Sequence, residues 1–339
     1  MTTTETRAGQ FFAAPPMAGP VLEWRPEYGT IDDEGETVDL GGGVYVYSSP
    51  DYTLDVNTLY VTTSDGVAVI DSQLLPHHAE KVLRDIRART DAPIRYVSNS
   101  HHHPDHVFGN LVFAEAGAEL VSSYFTARMI DQSSFWYLMF LQGLFGGHLP
   151  ATYAVPRDTF VRSRELWLGK TAVQLFEFTD STTVSGESVD VTMAWLPQSK
   201  VLHVADTVWP GAHTFFADGT SVPDWFMQLG HIRELVNELQ PRVIVPGHGS
   251  PGDAGMIDAQ QRYLTAVSRM VEEYCGGGEV PLDDEAKAKL REEIVNAFPE
   301  HRNQIPLDIS LNLIQMVGPM AFLTGRPDGA TAARLPTFV

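Results

Sequence analysis

Ser100-His101-His102-His103-Pro104-Asp105-His106 stands directly after the apolar run Ile94-Arg95-Tyr96-Val97. His101, His103, Asp105 and His106 form a His-x-His-x-Asp-His pattern in which each named side chain can bind a metal. Imidazoles and a carboxylate at these positions, just past a strand end, point into one common space that suits two neighbouring divalent ions better than one. A cloning tag would sit at a terminus and would not interleave Pro104 and Asp105. Such clusters are rare outside metal sites, so the stretch points to a metal-dependent enzyme rather than to packing or to a scaffold with structural metals. His102, at an intervening position, is expected to face away from its neighbours.

Working outward, short β-rich runs precede the cluster at 44–47, 57–61 and 67–70, the last closing on Asp71, and a helical pattern covers 76–90. Asp71 is a candidate to hydrogen-bond a ligand histidine and so hold its ring. A helical pattern follows at 107–117. The second half repeats the order, with strand-like runs at 173–178, 189–196 and 201–205, a helix at 224–239 and a strand at 242–245. Two such ββαβ halves predict an α/β fold in four layers, αββα. Asp206, ending the run from Val201, and His248, in Val245-Pro246-Gly247-His248-Gly249, sit at or just beyond strand carboxyl ends, where active-site residues gather.

The flanks read differently. Residues 1–40 are rich in Pro, Gly and acids and are expected to form an irregular arm before a core of 41–255. After 255 the pattern is helical, near 256–275, 283–298 and 306–323, giving a C-terminal extension 256–339 that is a candidate homodimer contact. An apolar insertion at about 130–155 centres on Phe135-Trp136-Tyr137-Leu138-Met139-Phe140-Leu141. It reads equally as a roof over an apolar substrate, with Trp136, Tyr137 and Phe140 as contacts, or as a buried core or dimer helix.

Among 339 residues, 43 acidic against 23 basic side chains leave a formal charge of −20. That surface repels phosphate backbones and anionic headgroups, so neither nucleic acid nor a membrane is an expected partner. No apolar run approaches the length of a membrane span, and Met1-Thr2-Thr3-Thr4-Glu5-Thr6-Arg7 lacks the features of a signal peptide, so a cytoplasmic location is expected. The single cysteine, Cys275, excludes an intrachain disulfide and a thiolate metal site.

The cluster, the strand ending in Asp206 and the Pro-Gly-His-Gly turn, taken in this order, resemble the metallo-β-lactamase fold superfamily over roughly residues 40–255. The resemblance implies two metal ions, with His101 and His103 on the first, Asp105, His106 and His248 on the second, and Asp206 between them. Most members supply a third histidine to the first metal from a turn ten residues before the proline of a Leu-Pro pair. Here the pair is Leu196-Pro197 and the position holds Glu187, with Asp180 and Asp190 as weaker alternatives. With two divalent ions, three carboxylates and a bridging hydroxide, the set is neutral, whereas a histidine at 187 would leave it positive. An oxygen-richer set shifts the expected metal from zinc towards iron or manganese, with zinc still ahead.

Two kinds of relative carry this glutamate. The alkylsulfatase-like branch is similar around Glu187 and around His213-Thr214, and the resemblance implies two zinc ions and hydrolysis of long-chain sulfate esters. Its members have an arginine-bearing stretch after that histidine where this chain reads Phe215-Phe216-Ala217-Asp218-Gly219-Thr220, and a glutamate where this chain has Asp206. The di-iron β-hydroxylase of chloramphenicol biosynthesis has a similar ligand pattern and implies an oxygenase. The expected activity is hydrolysis of a small apolar ester, thioester, lactone or sulfate ester by a metal-bridging hydroxide, with Asp105 and Asp206 as the catalytic carboxylates. The alternative is oxygenation at two irons. His213 and Trp209 are candidates for the pocket rim, and His203 is expected to face away from the metals.

Overall fold

Side-chain alternation sorts the strands into layers. In β2 (Val44–Ser48) Val44 and Val46 face one apolar cluster while Tyr47 faces another, and in β4 (Gly66–Ile70) Ala68 and Ile70 part from Val67 and Val69 in the same way. Strands covered on both sides lose the polar face of a half-exposed strand, which is why all five residues of β4 are buried. The computed structural model describes residues 34–178, 186–216, 221–276, 280, 282–302 and 305–317.

β1 (Glu36–Gly41), β2, β3 (Asn57–Thr63) and β4 form an antiparallel meander. β4 then pairs in parallel with β5 (Ile94–Ser98) after the crossover helix α1 (Pro76–Arg89). β6 (Glu119–Ser123) and β7 (Asp158–Phe160) complete a seven-stranded sheet in sequential order, after the short helices α2 (Pro104–Val107) and α3 (Asn110–Glu115) and the long helix α4 (Tyr124–Phe145). The second sheet runs β12-β11-β10-β9-β8, from β8 (Ser163–Leu168), β9 (Thr171–Glu177), β10 (Thr192–Leu196), β11 (Val201–His203) and β12 (Val243–Val245). β11 and β12 are parallel, joined through α5 (Val222–Leu239). α6 (Gly255–Tyr274), α7 (Asp284–Ala297) and α8 (Ile305–Val317) follow.

Three clusters show the layering. Val46, Leu59, Ile70, Val173, Ala194 and Val201 fill the space between the sheets. Val67, Val97, Val82, Ile86 and Phe113 join the first sheet to α1 and α3. Met193, Trp225, Leu264, Leu290 and Leu311 join the second sheet to α5, α6, α7 and α8. The result is the expected four-layer αββα fold, extended by C-terminal helices. Among the described residues no helix is long and apolar enough to cross a membrane.

Several expectations need correction. The arm read as 1–40 contains β1, an edge strand whose polar residues hid its pairing with β2. The helix expected at 107–117 is broken in two near Gly109, where a Cβ would fall 1.8 Å from the Ser72 carbonyl oxygen. The strand expected at 201–205 stops at His203, because Ala205 turns into the left-handed region at φ 49° and starts the turn that carries Asp206. The apolar stretch at 135–145 is the second half of α4, started by the Ser123 side chain accepting from the Thr126 N–H. The last six residues of the helix expected at 306–323 lie outside the described residues.

The C-terminal segment is tied back across the first half of the chain. Arg302 pairs with Asp55 at 2.8 Å, its N–H donates to the Gly211 carbonyl, and its own carbonyl accepts from the His213 N–H. Beside this tie His213, whose Nδ1 lies 3.1 Å from the Tyr263 hydroxyl, is pushed down to about 4 by burial and then by the neighbouring His301. The folded state therefore resists a proton that the unfolded chain takes up near 6.5, so this stability is present above 6.5 and is lost as pH falls towards 4. Between pH 7.5 and 5 the thermal midpoint of the wild type should fall by a few degrees more than that of His213→Gln, corresponding to about 2 kcal/mol. Equal shifts in both proteins would show that His213 carries no such linkage.

Candidate metal centre

Each ligand side chain reaches the centre because its neighbours leave it no other course. His103 precedes α2, and Pro104 at the first helical position sets the backbone so that Asp105 and His106 fall in the first turn. Asp71, just past β4, accepts from the Ser100 N–H at 2.7 Å, the Ser100 hydroxyl at 2.7 Å and His106 Nδ1 at 2.9 Å. These bonds hold Asp71 at φ 65°, a left-handed conformation costly for a non-glycine residue and often found at functional sites. A carboxylate only accepts, so His106 carries its proton on Nδ1 and turns the Nε2 lone pair inward. His248 is fixed likewise, donating from Nδ1 to the Leu54 carbonyl at 2.7 Å and stacking on Trp209 with ring centres 3.7 Å apart.

Two groups of four ligands result, each with its ligand atoms within 4.8 Å of one another: His101, His103, Glu187 and Asp206, and Asp105, His106, Asp206 and His248. All seven residues are buried, and Asp206 belongs to both groups. Asp206 Oδ2 lies 3.5 Å from His101 Nε2, 3.3 Å from His106 Nε2 and 2.9 Å from His248 Nε2. His248 Nε2 is 3.3 Å from Asp105 Oδ2, and His103 Nδ1 is 2.8 Å from Glu187 Oε1. Gly247 has to be glycine, since a Cβ there would fall 1.7 Å from Asp206 Oδ1.

Glu187 is 1% exposed, yet neither of its oxygens makes a hydrogen bond of good geometry among the described residues, although Oε1 lies 2.8 Å from His103 Nδ1, and Asp206 Oδ1 makes none either. Orphaned buried carboxylate oxygens are costly, and here they face imidazole lone pairs. Lone pairs converging on shared points fit a pair of divalent cations. Electrostatics agree. Burial, then the charges of Asp206 and Asp105, push the Glu187 carboxyl well above the usual carboxylate range. Burial opposes charge on His106 and His248, but the surrounding aspartates overcome it, raising His106 well above its ordinary value and His248 to about 10. Burial likewise opposes charge on Asp105 and Asp206, and the facing histidines hold both well below their ordinary values. Burial, then the charge of His106, keeps His101 well below its ordinary value. Without cations, the acids of this cluster favour bound protons on the facing imidazoles and on Glu187.

The remaining expected residues fall in several places. Tyr137 and Phe140 line an open apolar cleft whose floor is His103, Asp105 and Asp206. Trp136 does not line it; one residue along the helix from Tyr137, it packs on Phe135 and is 39% exposed. Trp209 lines the cleft but His213 does not, being held against Tyr263 and His301. His203 is in neither ligand group; its Nε2 lies 3.8 Å from Oδ2 of Asp71, the residue that holds His106. Asp190 is not a ligand; it accepts from His102 Nδ1 at 2.7 Å and from the Ser188 hydroxyl at 2.5 Å. Asp180 lies outside the described residues.

Sequence reasoning missed Asn57, which donates to the Pro246 and Gly249 carbonyls and so shapes the His248 turn; a lone Asn opening an apolar strand was its only signal. It also missed Ile305 and Ile309 of α8, which line the cleft one helical turn apart. Their i, i+4 spacing was visible, but nothing local said which cavity they would wall.

Because the metal-free centre favours protons on His106, His248 and Glu187, loading it at neutral pH should release protons. Titration calorimetry of Zn²⁺ in two buffers of different ionisation heat should give more than one proton released per chain; no buffer dependence would contradict a protonated metal-free centre.

The sequence model of the metallo-beta-lactamase superfamily matches residues 51–248. A linear primary-alkylsulfatase from a Pseudomonas species is 25% identical over 230 residues, covering 56% of this chain and 41% of that enzyme, so the chain spans less than half the length of that relative. A type 2 metallo-beta-lactamase from Bacillus cereus is 20% identical over 240 residues, covering 68% of this chain and 84% of that enzyme. Among solved structures, a metallo-beta-lactamase from Pontibacter korlensis superposes with a TM-score of 0.55 at 19% identity, over 68% of this chain and 99% of that one. The match from Asp51 to His248 takes in all seven ligand positions and both sheets from β3 onward, and the chain belongs to the metallo-beta-lactamase superfamily.

Proposed function

We propose that this protein is a binuclear metal-dependent hydrolase of a small apolar ester-type substrate, in the class of esters, thioesters, lactones and sulfate esters. The supporting observation is the opening of the seven-ligand centre onto a cleft walled by apolar side chains. The relatives are hydrolases by name, an alkylsulfatase and β-lactamases. His101, His103, Glu187 and Asp206 would hold one ion, and Asp105, His106, His248 and Asp206 the other. Such ions, zinc ahead of iron, supply acidified water, lowering its pKa from about 15.7 towards ~7, and polarise the oxygen of the electrophile.

The chain's own groups do the rest. Asp105 reaches the cleft floor with its carboxyl held ionised beside His106 and His248, placed to accept a proton from the attacking water. The water oxygen adds to the electrophilic centre, the bond to the leaving group breaks, and that group departs with a proton. Asp71 keeps the His106 ring in one orientation, and Trp209 does the same for His248. The apolar walls exclude bulk water and strengthen every electrostatic contact on the floor.

A second reading rests on Glu187. A carboxylate in place of a third histidine makes both ligand groups oxygen-richer, which favours iron and, with an electron donor, an oxygenase. Elemental analysis of untagged protein beside its visible spectrum separates the two. About two zinc ions per chain without colour supports the hydrolase; two irons with a band that bleaches on reduction supports the oxygenase.

Asp105→Asn should lower kcat by about 10²- to 10⁴-fold with metal content retained, the range expected for loss of a positioned proton acceptor. Unchanged turnover would remove Asp105 from the chemistry. Chelation should abolish turnover and lower the thermal midpoint, and restoring metal at about a hundred times its Kd should return about 2.7 kcal/mol of stability. An unchanged midpoint would mean that no metal is held by the folded chain.

A further inference from the structure

Resting on the hydrolase assignment above, we infer that the substrate is electrically neutral: an uncharged ester, thioester or lactone with an apolar chain, and not a sulfate, phosphate or carboxylate-bearing ester. The charge and polarity of the cleft carry this inference. Above a floor of His103, Asp105 and Asp206, the walls are hydrocarbon and aromatic ring, with Phe140 and Phe145 from α4, Trp209 and Phe215 from the segment after β11, and Ile305 and Ile309 from α8. Among the described residues no lysine or arginine lines it. Of the segments outside the described residues, 179–185, 217–220 and 303–304 contain neither lysine nor arginine in their sequence, and the arginines of the flanks 1–33 and 318–339 are Arg7, Arg25, Arg326 and Arg334.

The arginines nearest in sequence to the α8 wall are already paired. Arg302 lies 2.8 Å from Asp55 and 3.5 Å from Asp51, so its charge is met by two carboxylates. Arg291 forms an ion pair with Asp308, which is nearly buried on α8. The ligand set carries three carboxylates, Asp105, Glu187 and Asp206, where a histidine at 187 would have left two, and the whole chain has a formal charge of −20. An anionic group moving from water into this cleft would shed its hydration, find no cationic side chain among the described residues, and meet a ligand set whose three carboxylates offset the charge of the ions it would hold. A neutral carbonyl with an apolar chain loses nothing comparable and gains the contact area of the walls.

The test uses one alkyl chain with two head groups. Metal-loaded enzyme is assayed with octyl acetate and octyl sulfate, and binding of octan-1-ol and of octane-1-sulfonate, which cannot be hydrolysed, is measured by calorimetry on the same sample. The expected result is a kcat/KM for octyl acetate at least about 100-fold above that for octyl sulfate, and tighter binding of the alcohol than of the sulfonate. Octyl sulfate turned over as well as octyl acetate, or sulfonate bound as tightly as alcohol, overturns the inference while leaving the hydrolase assignment in place. If neither ester is turned over, the hydrolase assignment falls, and the binding pair alone decides whether the cleft selects neutral ligands. Phe140, on the wall and 40% exposed, provides a second check. Phe140→Arg should raise sulfonate affinity about tenfold over Phe140→Gln; the same affinity in both variants would show that wall charge does not set the preference.

Discussion

The crowding of ionisable groups out of water around Asp206 is the constraint around which the rest of the structure is arranged. Asp206 lies among four imidazoles and near two other buried acids, in a volume from which water is largely excluded. No apolar core could tolerate that density of unpaired lone pairs, so the centre demands positive charge, as protons or as metal. Meeting the demand requires the ligands to stay put. Asp71 accepts its strained backbone to hold His106, Gly247 gives up a side chain to let Asp206 in, and Asn57 ties down the His248 turn.

The fold supplies these restraints from two sheets that contribute unequally. β4 and β5 bring Asp71 and the cluster 101–106 from the first sheet, while β10, β11 and β12 bring Glu187, Asp206 and His248 from the second. Parallel pairing at both places, β4 with β5 and β11 with β12, puts the ligand-bearing loops at strand carboxyl ends. The floor of the cleft is therefore set by loops at the strand ends and its walls by α4, α8 and the segment after β11, which leaves wall chemistry free to vary while the floor stays constant.

Much of this is legible in the sequence, and the divisions are physical. The seven ligand positions can be read because metal chemistry restricts residue type, and His101 to His106 lie close enough along the chain to show their purpose locally. The layers can be read because strands covered on both sides are apolar nearly throughout, as β4 is and as β10 is after Thr192. β1 and β7 escape notice because short edge strands carry polar residues and owe their existence to a partner. Trp136 and Tyr137 look equivalent in sequence, but one helical residue is a rotation of about 100°, which turns one to solvent and the other to the cleft. The role of α8 is hidden for a different reason: contacts such as Arg302 with Asp55 join residues too far apart for any local pattern to mark.

That long tie also orders events in time. Every metal ligand lies between His101 and His248, whereas the wall formed by Ile305 and Ile309 comes from chain synthesised afterwards. Chains emerge from the N-terminus at about 5–20 residues per second, so the ligand loops can gather several seconds before α8 exists to stand over them. The ligand positions are thus all synthesised before the last wall of the cleft, so the nascent chain holds a complete ligand set with one wall fewer than the finished protein.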